Sequence, residues 1–405
     1  MNWKLIRIID SCLGIPLIWL ISMLLPARDN RALRKEETAP QRILLVKFWG
    51  IGNIFMLLPA IQALQETFPD AEFDFLTLES NRAALNTLGA FKRVATIDTS
   101  GAARFIRSWK AAAETLTTTG YDLAIDFDQF ARFSALMAFH CGAATTIGFA
   151  TRGQHRHHLY SRTVEYDDHI HVTRSFYELA VAAGVTRPFS ADVRFKSFES
   201  LQSVGNRLLN VRGISHNEPL VVMHIGTSEN SKERRWIPAH FAVLSDMLTA
   251  RGIQVVMTGL PDEAFLIAET LELITNPGMV IDLGGKLSFT EYCALITIAD
   301  LVVSADTATI HIASAVKAPV VGLYGPNSPH LYGPWGANSL ALYAEFDCSP
   351  CITNFNGKLN TCRHPEGRGA CMKAISAEMV ITAIEDTYLS PAAPWRLKKL
   401  RESTP

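Results

Sequence analysis

The sequence predicts an α/β protein built from two Rossmann-like halves, each a parallel sheet covered by helices. Short apolar runs of strand length alternate with helical stretches from Ile43 to Tyr324, the pattern of parallel strands buried on both faces. A chain of 405 residues exceeds one small core and suffices for two such domains. In both halves, polar or glycine-bearing turns come after the strands, where doubly wound sheets hold their ligands.

At the amino terminus, after Lys4 and Arg7, the segment Cys12 to Leu25 is apolar, contains Pro16, and is shorter than the ~20 residues a straight spanning helix needs. It lacks a small-x-small cleavage site at its end. Arg28, Arg31, Arg34 and Lys35 outnumber Lys4 and Arg7, so a cytoplasmic location is expected for the domains beyond residue 38 even if the segment spans. Residues 1–38 are read as a membrane-associating segment, spanning or lying in the interface. A buried helix packed on the domain is the other reading.

Residues 39–200 form the expected amino-terminal domain. Its strands are Ile43–Phe48, Glu72–Leu78, Arg93–Asp98, Asp122–Phe127 and Thr145–Ala150. The first ends in Val46-Lys47-Phe48-Trp49-Gly50-Ile51-Gly52-Asn53, whose glycines permit a tight turn without completing a dinucleotide fingerprint. Asp126 and Asp128 close the fourth strand at positions i and i+2, which share a face, and like charge there raises one pKa; caps or turn residues are the plainer reading. Thr151 to Arg174 packs five histidines and four arginines beside Asp167 and Asp168. Arg152 and Arg156 suit an anionic acceptor, or belong to a solvated loop.

Residues 201–385 form the expected carboxyl-terminal domain, with a basic tail over 386–405 that includes Trp395 to Arg401. Its strands are Leu220–Ile225, Gln254–Thr258, Val280–Leu283, Leu301–Ser304 and Val320–Tyr324. The stretch Leu301 to Pro326 reads as strand, polar turn, helix and strand, with the helix opening at Asp306-Thr307-Ala308 and carrying His311. Such a helix terminus offers N–H groups and a positive dipole end to a phosphate or diphosphate; Asp306 and Thr307 also serve as plain N-caps. The loop Thr227 to Arg235 adds Thr227, Ser228 and Arg234, hydroxyls and a guanidinium that suit phosphate oxygens.

A formal net charge of -1, with 48% hydrophobic and 19% charged residues, fits a globular protein without a polyanion-binding surface. Nucleic acid is therefore not an expected partner. An odd seven cysteines point to a reducing compartment. Cys348, Cys351, Cys362 and Cys371 offer thiolates for a structural metal site, but the last two lack the spacing of a zinc ribbon, and reduced thiols are the simpler reading.

With these segments assembled, the chain resembles glycosyltransferase family 9, the bacterial heptosyltransferases of lipopolysaccharide core assembly. The carrying segments are ILLVKFWGIGNIFMLLPAIQALQETFPDAEFDFLT, HIGTSENSKERRWIP and SADTATIHIASAVKAPVVGLYGPNSP. The resemblance implies a GT-B fold, two Rossmann-like domains whose sheets face a central cleft. It further implies an ADP-activated sugar donor, transfer of heptose with inversion and without a metal or cofactor, and a lipid-linked saccharide acceptor at the cytoplasmic face of the inner membrane. Donor-side positions matching the family are Thr227, Ser228, Arg234, Asp306, Thr307, Ala308 and His311; Lys47 and Gly52 match its amino-terminal motif.

Two positions depart from the family. Asn53 stands where the family's aspartate is the proposed general base, and a carboxamide cannot take that proton. Ala308-Thr309 replaces the usual Gly-Pro. An active enzyme then needs another carboxylate, for which Asp126 and Asp128 are the candidates. A GT-B protein that binds nucleotide-sugar without transferring it is the alternative, and an epimerase or hydrolase of the same fold a third.

Overall fold

The structure is a computed structural model that describes residues 3–24, 39–227, 229–353, 362 and 364–390. The basic run Arg28 to Lys35, Ser228 and the tail from 391 onward lie outside the described residues. The chain divides into two compact units, Met1–Lys196 and Ser197–Pro405.

Unit 1 carries helix α1 (Trp3–Leu24) and then strands β1 (Arg42–Val46), β2 (Glu72–Leu78), β3 (Arg93–Ile97), β4 (Leu123–Asp126), β5 (Thr145–Ala150) and β6 (Arg162–Glu165). Between them run α2 (Ile51–Met56), α3 (Leu58–Thr67), α4 (Arg82–Leu88), α5 (Ala102–Thr119) and α6 (Arg132–His140), and α7 (Val172–Ala182) comes after β6. The strands are all parallel, in the order β3-β2-β1-β4-β5-β6. β1 and β4 pair with Val46 opposite Asp126, and strand order reverses between them, where such sheets bind ligands.

One face of this sheet is sealed by a core joining Leu44, Val46, Leu76 and Ala124 to Ala112 and Leu116 of α5, Ala135 and Ala138 of α6, and Ile18 of α1. α1 therefore lies on the domain. Its Asp10 carboxylate accepts from the backbone N–H of Arg132 (3.0 Å) and Phe133 (2.9 Å), capping α6, whose own N-cap residue is Ala131. No described helix is long and apolar enough to cross a membrane.

Unit 2 repeats the plan. Helix α8 (Phe198–Arg212) precedes strands β7 (Leu220–His224), β8 (Gln254–Thr258), β9 (Val280–Asp282), β10 (Leu301–Ala305), β11 (Val320–Tyr324) and β12 (Ser339–Tyr343). The helices are α9 (Pro238–Thr249), α10 (Ala264–Leu273), α11 (Phe289–Ile298), α12 (Ala308–Val316), α13 (Pro329–Tyr332), α14 (Ala370–Ala374) and α15 (Ala377–Ile384). The sheet is parallel in the order β12-β11-β10-β7-β8-β9, so its reversal falls between β7 and β10. Val221, Val255, Leu301 and Val321 share a core with Phe241 of α9 and Val380 and Ile384 of α15. The buried Trp236 ties that core shut by donating its indole N–H to Ile375 O at 2.7 Å.

α8 packs close enough to α11 that a Cβ at Gly205 would meet the carbonyl of Ala294. Two stretches differ from the sequence expectation. The arginine- and histidine-rich stretch after β5 holds edge strand β6, and the second sheet ends in a further unexpected strand, β12. Both are half-exposed edges, so neither shows the continuous apolar run of a central parallel strand.

Candidate active site

In unit 2 the site begins where β7 and β10 end side by side, Ser304 opposite His224. β10 stops at Ala305, and Thr307 is the N-cap of α12. Its Oγ1 accepts from Thr309 N (3.2 Å) and stands 3.0 Å from Ser304 Oγ. The hydroxyl thus holds the first turn of α12 with that turn's N–H groups at the sheet's carboxyl edge. Asp306, nearly buried, accepts from Arg234 Nη1 (2.9 Å) and from Asn327 Nδ2 (2.8 Å) on the same oxygen, Oδ2. One carboxylate therefore fastens the loops after β7, β10 and β11. Burial pushes its pKa up, but Arg234, Asn327 and His311 outweigh that and hold it below the usual carboxylate range.

His311 lies buried on α12 one turn beyond Thr307. Thr227 is buried too, with Arg235 Nε 3.3 Å from its Oγ1. The structure thus links Arg234, Asp306 and Asn327, and places Thr307, Ala308 and His311 on the adjoining helix; Ser228 is outside the described residues.

The site also contains residues that sequence patterns do not single out. Arg235 reaches Thr227, while Asn327 lies within the third family segment with no local sign of its role. Glu263 accepts from Leu260 N at 2.8 Å, and its carboxylate fills the space a Cβ at Gly226 would need. Beneath α12, Tyr292 OH bridges Thr309 Oγ1 (2.6 Å) and His224 Nδ1 (3.2 Å). Burial pushes the His224 pKa down to about 4, and a neutral ring suits a nitrogen that accepts from a hydroxyl.

In unit 1 the loops after β1 and β4 meet in the same way. Gly50, at φ 86, turns the chain into α2, and Asn53 donates Nδ2–H to Trp49 O at 2.9 Å. Gly52 stands beside Asn53 in the first turn of α2. Lys47 is 1% exposed and donates to Asp128 Oδ1 (2.9 Å), Gln129 Oε1 (2.9 Å) and Phe127 O (3.3 Å). Asp128 Oδ2 accepts from Phe48 N at 2.7 Å. Lys47 therefore locks β1 to β4 and does not present its ammonium to an acceptor.

Arg156 departs furthest from expectation. Expected to face an anionic acceptor, it is 0% exposed and paired with Asp126 at 2.6 Å. Tyr160 OH (2.7 Å) and Ser134 Oγ (2.7 Å) donate to the same carboxylate oxygen, and Asp128 N donates to the other at 2.9 Å. Burial pushes the Asp126 pKa up, with Arg156 opposing and Asp128 adding to the rise. Arg152 does lie on the surface, in the turn before this cluster.

Cys348, Cys351, Cys362 and Cys371 are free thiols. Among the described residues no group of three or more His, Cys, Asp or Glu side chains is placed to hold a metal ion. Burial raises the Cys351 pKa and pushes that of Cys371 up to about 11, which favours protonated thiols.

The sequence model of glycosyltransferase family 9 (heptosyltransferase) matches residues 109–359, more than half of the chain. The protein belongs to glycosyltransferase family 9. It is 26% identical over 344 residues to lipopolysaccharide heptosyltransferase 3 of Escherichia coli K12, covering 82% of this chain and 94% of that protein. It is 25% identical over 378 residues to lipopolysaccharide heptosyltransferase 1 of Pseudomonas aeruginosa, covering 86% and 99%. Among solved structures, the family 9 glycosyl transferase of Veillonella parvula superposes with a TM-score of 0.71 at 20% identity, over 85% of this chain and 96% of that one. E. coli heptosyltransferase WaaC with ADP gives 0.66 at 22%, over 85% and 99%. This family 9 chain is thus a glycosyltransferase with the GT-B fold, and its two six-stranded sheets are that fold's two Rossmann-like domains.

Proposed function

We propose that this glycosyltransferase moves a heptosyl group from ADP-heptose to a lipopolysaccharide core acceptor, with inversion and without a metal, at the cytoplasmic face of the inner membrane. The observation that carries the reading is the Arg234–Asp306–Asn327 cluster beside the capped N-terminus of α12, at the strand-order reversal of the second sheet. Asp306 aligns Arg234, which together with Arg235 and the α12 amides offers donors to a diphosphate whose charge grows as it leaves. The names of the relatives, lipopolysaccharide heptosyltransferases 3 and 1, support heptose and the core acceptor, and the ADP held by WaaC supports the nucleotide.

In the proposed displacement an acceptor oxygen attacks the anomeric carbon from the face opposite the diphosphate. The bond from that carbon to the diphosphate oxygen breaks, ADP departs, and the acceptor proton passes to a base. Asn53 orients the acceptor hydroxyl but cannot take the proton. Asp126 already accepts from four donors, about the capacity of a carboxylate, and is better placed as a positioning residue. Asp128, 2% exposed and paired with Lys47, accepts from only two donors and keeps lone pairs to spare, so of the two carboxylates we assign it the role of base.

The test is turnover of ADP-heptose by the full chain with a lipopolysaccharide core acceptor, monitored by mass spectrometry. Asp128→Asn is expected to lower kcat by about 10²–10⁴-fold with the donor KM little changed; an unchanged kcat would remove Asp128 from this role. Asn53, a carboxamide in place of the family's base, favours one second reading, a protein that binds nucleotide-sugar without transferring it. Tight ADP-heptose binding with no product on any core acceptor would select that reading.

A further inference from the structure

We propose that α1 and α5 together form the surface on which the protein lies against an anionic lipid bilayer. The biological purpose of this surface rests on the membrane-side reaction proposed above, but its geometry does not. Both helices cover the same face of the first sheet: Ile18 of α1 and Ala112 and Leu116 of α5 belong to one core, with α6 contributing Ala135 and Ala138. Each outer face carries large apolar side chains at positions where a soluble helix is ordinarily polar. On α1, Leu17, Trp19 and Leu20 are exposed and Met23 is 74% exposed; on α5, Ile106 is 48% and Trp109 40% exposed.

Charge selects the occupant. Arg104, Arg107 and Lys110 are exposed around Ile106 and Trp109, and α5 has no acidic residue before Glu114. On α1 the sole carboxylate, Asp10, is turned inward to cap α6. Tryptophan and aliphatic side chains beside these cations, with Asp98 next to Arg104 and Glu114 one turn past Lys110 at the margins, match the acyl boundary and phosphate layer of an anionic leaflet. α1 lies parallel to such a surface, since its inner face is committed to Ile18 and to Gly14, which sits against the Arg132 side chain.

The experiment is co-sedimentation of the full chain with phosphatidylcholine vesicles and with mixed phosphatidylcholine and phosphatidylglycerol vesicles. The parent is expected to bind the mixed vesicles preferentially and to be released by salt. Ile106→Glu/Trp109→Glu and Leu17→Glu/Leu20→Glu should each weaken partitioning by roughly tenfold or more, at an unchanged melting temperature. Where a variant melts early, quenching of parent tryptophan emission by brominated lipid replaces it, with quenching expected on binding. Equal binding by the α5 variant and the parent, absence of quenching, or indifference to lipid charge would overturn the proposal. So would a self-associated parent that ignores vesicles and is dissociated by the same substitutions. Nucleotide binding enters none of these readouts, so a wrong donor assignment would leave them untouched.

Discussion

Asp126 and Arg156 show how much one buried pair determines at the scale of single residues. Both are 0% exposed, and Ser134, Tyr160 and the Asp128 amide complete the carboxylate's shell. Arg156→Met leaves Asp126 as an uncompensated buried charge and is expected to cost about 3–5 kcal/mol of stability, read as a lower denaturant midpoint. A midpoint unmoved by the substitution would mean that the pair is not buried in solution. His224 and Asp306 predict a pH dependence. Since the folded His224 titrates near 4 and an unfolded histidine near 6.5, the unfolded chain binds more protons in that window. Stability therefore falls as pH drops from about 6.5 towards 4. Asp306, held below the usual carboxylate range, contributes stability above its unfolded pKa that is lost only at still lower pH. His224→Gln should flatten the upper part of this profile in melting experiments from neutral to acid pH; an unchanged slope would contradict the assignment.

Among the elements, α1 and α6 are joined by one carboxylate. Asp10→Ala removes the cap of α6 and should destabilise unit 1 by about 1 kcal/mol, seen as a small drop in melting temperature; no drop would mean that α1 is not docked in solution. How much the sequence revealed depends on the physics of each element. Inner strands such as β1, β8 and β11 are legible because both of their faces are buried and the apolar run is unbroken. The edges β6 and β12 bury too little to leave that mark. Thr307 and Asp306 are legible because capping chemistry is local. The partners of Lys47 and Arg156 are not, because both meet residues some 80 and 30 positions away in sequence. A basic residue in a polar stretch gives no local sign that its counterion is buried beside it. Glu263 is hidden for the same reason: its place in the site depends on Gly226 leaving room.

For the whole molecule, two sheets share one strand order, and each brings its functional loops to the point where that order reverses. In unit 1 that point is locked by Lys47 and Asp128; in unit 2 it carries Arg234, Asp306 and the start of α12. The central claim is that unit 2 holds the diphosphate of an ADP-sugar there. Calorimetric titration of the full chain with ADP, UDP and GDP tests it most directly. ADP is expected to bind in preference to the other two, and Arg234→Ala and Thr307→Ala are each expected to weaken binding by about tenfold or more in protein that melts as the parent does. Unaltered ADP affinity in both variants, or a preference for UDP or GDP, would contradict it.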